Sequence, residues 1–176
     1  MPQTQTRTPD FLTSSPWLRD AAPHVHERRG AAFDEAPPFQ WLSTAAAFAD
    51  TGGLVGGDEL AELIRMQCDA TVQQLVPQPV SLVARWIVSH AVVTIDSPWG
   101  CMLPMFQFDL ARAAVHPGMR PLLSELRGVF DDAELALWFV TPNDWLGGAC
   151  PARAMHAALP AVRLAARTDR YVALGK

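Results

Sequence analysis

Lysine is almost missing from this chain of 176 residues: of its fourteen basic side chains only Lys176 is a lysine, a bias read here as base composition rather than arginine chemistry. Cysteine is scarce too. Cys68, Cys101 and Cys150 are odd in number, far apart and without a C-x-x-C pair, which excludes a disulfide framework and a zinc knuckle and leaves reduced, buried thiols as the expectation. No apolar run reaches the roughly 18 residues of a membrane span, and the N-terminus has no charged-then-apolar signal pattern. A cytoplasmic location with no membrane partner is therefore expected. There is no G-x-S-x-G, no H-E-x-x-H and no P-loop, so the commonest signatures of catalysis are missing and no cofactor is expected.

Positive charge is thin in the middle of the chain. Residues 53–109 hold two basic against six acidic side chains, whereas residues 1–52 hold four against six and residues 110–176 eight against six. A duplex-binding surface in the middle third would have little with which to meet phosphates.

What is present suffices for one sizeable core, with 49% hydrophobic and 18% charged residues. Residues 1–50 scatter single apolar side chains among Pro, Ser, Thr and Ala without a helical or strand period, so a Pro-rich, largely irregular arm is expected. Its apolar beads Phe39, Trp41, Leu42 and Phe48 would dock on the domain or on a partner. His24, His26 and Glu27 offer no preorganised further ligand and read as a solvated loop rather than a metal site.

Residues 51–110 read as a helix-turn-helix-like unit with a β-hairpin wing. After Gly56 and Gly57, the spacing of Leu60, Leu63, Ile64 and Cys68 predicts a helix with Asp58 as its N-cap. The glycines lack a following G-K-[ST], so they are a loop rather than a phosphate cradle. Past Pro77 and Pro79, the residues Val80, Val83, Ala84 and Ile87 predict a second helix, and residues 91–108 a hairpin turning at Asp96 to Gly100. In that order of elements the second helix takes the place of a recognition helix. Gln78, Ser81, Arg85, Ser89 and His90 are then the polar residues able to face a groove, against the plainer reading of an ordinary polar face.

Residues 111–176 predict a small helical bundle. Pro121 opens a helix with Leu122, Leu123, Leu126, Val129 and Phe130 on one face, and Asp131 with Glu134 forms a capping-box variant for the next. That helix runs into W-F-V-T-P-N-D-W-L-G-G-A-C-P, from Trp138 to Pro151. Large rings that want burial, prolines with fixed φ and glycines with free φ crowd there into a stiff corner. Asn143 and Asp144 suit a turn, Gly147 and Gly148 allow positive φ, and Pro151 opens a further helix. A last helix over 161–173 would expose Arg163, Arg167 and Arg170.

The run L-A-L-W-F-V-T-P-N-D-W-L-G-G-A-C-P resembles the corner motif of the toxin-binding domain in Xre/MbcA/ParS-type antitoxins. V-A-R-W-I-V at Val83 to Val88 and L-P-M-F-Q-F-D at Leu103 to Asp109 are similar to the degenerate helix-turn-helix and hairpin that precede it, so the resemblance covers about residues 52–174. It implies a mainly α, non-catalytic bacterial protein that binds and neutralises a RES-type toxin through its C-terminal helices, as a homo-oligomer, and that binds operator DNA through its N-terminal unit. Carried over, Trp138, Pro142, Asn143, Leu146, Gly147 and Pro151 would shape the corner, and the final helix with Arg167 and Arg170 would meet the cognate toxin. A winged-helix transcription regulator is the alternative. A cysteine-dependent enzyme built on Cys150 and His156 is the remote one, because no third positioned group accompanies them.

Overall fold

A computed structural model describes residues 39–75 and 78–175; the His24, His26 and Glu27 cluster lies outside the described residues. The chain divides into two compact units between Leu42 and Ser43. The fold is mainly helical with a small antiparallel sheet. The first element among the described residues corrects the expectation of an irregular arm through residue 50: a helix, α1, covers Phe39–Phe48. Phe48 is fully buried in the second unit, so the apolar pull of that one ring outweighs a local sequence without helical period.

In the second unit, β1 (Leu54–Gly56) leads directly into α2 (Gly57–Gln67). Gly56 holds the cap position and no side chain caps the helix, so Asp58 is not the N-cap. Asp58 and Glu59 sit instead in the first turn, where carboxylates suit the macrodipole. A short helix not anticipated from the sequence, α3 (Ala70–Leu75), precedes α4 (Pro79–Val88), which opens on Pro79. Leu60, Ala61, Ile64 and Val83 pack with Val55, Val92 and Leu103 into one core.

The hairpin forms, but shorter than 91–108. Strands β2 (Ile95–Ser97) and β3 (Gly100–Pro104) pair antiparallel, and β1 pairs with the other edge of β3, giving the order β1-β3-β2. Val92 and Val93 are buried without joining a strand. The fully buried Gln107 serves Val93 in place of a strand partner: its Nε2 donates to the Val93 carbonyl and its Oε1 accepts from the Val93 N–H, both at 2.9 Å. A two-residue ladder of β4 (Phe108–Asp109) and β5 (Ala114–Val115) then leads toward the C-terminal helices.

Three helices follow: α5 (Met119–Leu126), α6 (Asp132–Val140) and α7 (Pro151–Ala173), with α5 and α6 both packed against α7. Helix α6 has the expected capping box, Glu134 N–H donating to the Asp131 carboxylate and Asp131 N–H to the Glu134 carboxylate. Helix α7 joins the two C-terminal helices of the sequence reading across a kink at Ala158 (φ −138°, ψ 44°), two residues before Pro160, whose ring and missing N–H prevent a continuous ladder. The thiols depart from expectation: Cys101 is exposed, and Cys68 and Cys150 are only partly buried.

Candidate functional site

The corner between α6 and α7 is built around one residue that the sequence reading passed over, Asp169. Its Oδ2 accepts from the Trp138 indole N–H at 2.7 Å and from the Asn143 amide at 2.8 Å, and its Oδ1 accepts from the Trp145 indole N–H at 3.0 Å. One carboxylate thus ties the end of α6, the corner and the far half of α7 together. The signal was in the sequence: Asp169 falls at the i, i+3, i+4, i+7 spacing of the buried Val162, Ala165 and Ala166. A carboxylate on a buried stripe needs donors.

Within the corner Asn143 has both expected roles, since its Oδ1 also accepts from the Trp145 N–H at 3.0 Å. The Asn143 backbone carbonyl accepts from Leu146 and Gly148, and its N–H donates to the Ala149 carbonyl. Gly147 (φ 64°) and Gly148 (φ 85°) provide the left-handed residues that fold this loop back on itself. Pro142 is exposed and Leu146 partly buried, while Pro151 is buried as the first residue of α7. Core burial holds for Phe139 but fails for Trp145, which is 62% exposed and attached to the protein by its polar edge.

Arg167 and Arg170 of α7 do not stand free. Arg167 Nε donates to Glu125 Oε1 at 2.9 Å and Arg170 Nη1 to Glu125 Oε2 at 3.5 Å, joining α7 to α5. The Arg167 hydrogen bond holds the Glu125 carboxyl below its ordinary value, and the charges of Arg167, Arg170 and Arg163 add to this against the opposing pull of burial. Three guanidiniums around one carboxylate leave a net positive ridge. At about 100° per residue, Leu164, Thr168, Tyr171 and Val172 lie between that ridge and the Asp169 flank. Leu164 is 65% and Tyr171 59% exposed, and Val172 and Leu174 are exposed as well.

The upstream set is brought together only in part. Gln78, Ser81, Arg85, Ser89 and His90 are all exposed, and Ser81, Arg85 and Ser89 share one face of α4 at i, i+4, i+8. Ser81 Oγ lies 3.3 Å from Gln78 Oε1, and Ser89 Oγ donates to the Trp86 carbonyl. Beside that face run the exposed Val80, Ala84 and Val88. His90 has turned the corner after α4 with φ 54°, away from the helical line. Cys150 occupies the cap position of α7, and the ring of His156 packs edge-on against His116, with centroids 4.6 Å apart.

No group of three or more His, Cys, Asp or Glu side chains suited to a metal occurs among the described residues, and no helix among them is long and apolar enough to cross a membrane. No protein-family model, curated protein or solved structure matches the chain.

Proposed function

We propose that the protein acts by binding rather than by catalysis, as an antitoxin-like neutraliser whose C-terminal helices seat on a RES-type toxin. The observation that supports this most is Trp145. A large ring whose indole N–H donates to the Asp169 carboxylate and whose backbone N–H donates to the Asn143 side-chain oxygen, yet 62% exposed, is an interface residue in its physics: rigid, apolar on its face and low in entropy left to lose. Next to it, Leu164, Tyr171 and Val172 form an apolar stripe with the positive ridge of Arg163, Arg167 and Arg170 on its other side. That pattern suits a partner with an apolar groove and an acidic rim.

Co-expression with a RES-type toxin from the same genome tests the reading. The two products copurify as a stable complex, and Trp145→Ala with Tyr171→Asp disrupts the complex while the unfolding midpoint of the free protein changes little. Failure of the wild-type pair to associate at micromolar concentration overturns it.

A second reading, a winged-helix DNA binder, is favoured by one observation. A strand before the helices completes a three-stranded sheet in the order β1-β3-β2, and α4 lies just ahead of the hairpin with Arg85 on its outer face. Binding of the intact protein to its own upstream duplex would put this reading first.

A further inference from the structure

A cleft of about 600 Å³ opens in the second unit where the end of α4 meets α5, on neither the corner nor the terminal-helix stripe. Trp86, Ser89, His90, His116, Arg120 and Arg127 supply its distinctive walls. No carboxylate is among the described residues that line it, although the whole chain has a net charge of −4. Arg120 is exposed and has no hydrogen bond or ion pair among the described residues.

Arg127 is held in place by two carbonyls and a carboxylate. Its Nη2 donates to the Val92 carbonyl at 2.9 Å and its Nη1 to the His90 carbonyl, while the Asp132 carboxylate lies at 3.6 Å. Two of these three partners are uncharged. The same bonds brace the loop in which His90 takes its left-handed backbone, an arrangement costly for a residue with a Cβ. Across the cleft, His116 Nδ1 accepts from the Gly118 N–H at 3.1 Å, which leaves Nε2–H as the donor of the neutral ring. The Trp86 ring is stacked on Phe108 with centroids 5.5 Å apart, so the aromatic wall is fixed as well.

Volume and chemistry together narrow the ligand. Clefts that bind small molecules span about 300–1,000 Å³, and a bare phosphate would leave most of this one unfilled. A guanidinium matches phosphate oxygens, and an indole gives any planar base a stacking surface. We propose that the cleft binds a nucleoside phosphate, with Arg120 and Arg127 at its phosphate and Trp86 against its base. The site is independent of the partner-binding surface, and either can fail without the other.

Calorimetric titration of the full chain with AMP, ADP, adenosine and inorganic phosphate tests the proposal. AMP or ADP binds with one site per chain, and adenosine and phosphate alone each bind at least about tenfold more weakly. Arg120→Glu weakens nucleotide binding by about tenfold or more without moving the unfolding midpoint, since that side chain has no bond to lose among the described residues. Ser124→Trp, a substitution at an exposed position on the cleft wall, blocks binding by filling the space. Three results overturn the proposal: no nucleotide binding at millimolar concentration, phosphate binding as tightly as AMP, or an affinity unchanged in both variants.

Discussion

Asp169 is the residue on which the corner depends, because three donors from three places in the chain converge on it. A hydrogen bond to a charged acceptor contributes about 1.5–3 kcal/mol when shielded and less when wet. Trp138 and Asn143 are partly buried and Trp145 is exposed, so the first two dominate. Asp169→Ala is expected to cost about 2–4 kcal/mol in urea unfolding, whereas Trp145→Phe, which removes one exposed bond and keeps a ring, is expected to cost under about 1 kcal/mol. A loss under about 1 kcal/mol for Asp169→Ala would mean that the corner holds its shape without the carboxylate.

His116 gives a pH dependence at the same scale. Burial and the neighbouring His156 hold its imidazole below the ordinary value, with Asp109 pulling the other way. A group whose folded pKa is depressed binds protons more tightly when unfolded. Its contribution to stability is therefore present above the ordinary histidine value of about 6.5 and is lost as pH falls through that value toward the folded one. His116→Asn keeps an acceptor for the Gly118 N–H but does not titrate. Its unfolding midpoint should fall less steeply than that of the wild type between about pH 8 and pH 5, and identical slopes would remove His116 as the cause.

Among elements, those legible in the sequence were the ones with local determinants. Helix α6 was announced by Asp131 and Glu134, the start of α4 by Pro79 and the corner by its prolines and glycines, all of which act within a few residues of themselves. Elements set by distant partners were not legible. Phe48 gives no period to its own segment, yet its burial goes with a helix there; β1 needs β3, some fifty positions on, before its three residues become a strand. The candidate site divides in the same way. Asn143 and Gly147 were readable from turn chemistry, while Asp169 and Glu125 become meaningful only once α7 lies against the corner and α5.

Gln107 is the sharpest case of a distant partner deciding an element. Its side chain closes both hydrogen bonds of a residue that no strand reaches, so Val93 stays buried with neither backbone group orphaned. Gln107→Leu fills similar volume but strands the Val93 N–H and C=O, at about 1–3 kcal/mol for each buried group left unpaired. An overall loss of about 2–4 kcal/mol is expected. Gln107→Glu should be no better, because a carboxylate sets an acceptor against the Val93 carbonyl. If Gln107→Leu unfolds at the wild-type urea midpoint, that bridge contributes nothing to the stability of the fold.

At the scale of the whole molecule, charge bears on both of the proposed binding readings. Among the described residues 51–110 Arg65 is engaged by Glu62, which leaves Arg85 as the cation on the outer face of α4. Each phosphate neutralised on duplex DNA adds about 0.9 to the slope of log K against log salt. A surface with one or two available cations therefore gives a slope no steeper than about −2, far short of a dedicated operator binder. The eight basic residues of 110–176 include the ridge on α7, which suits a protein partner with an acidic rim. Anisotropy of a labelled upstream duplex, titrated with the full chain across a range of salt, should show weak and shallow binding. A slope near −6, within the range of proteins making many phosphate contacts, would require cations from outside α4 to reach the duplex and would make DNA reading the primary activity.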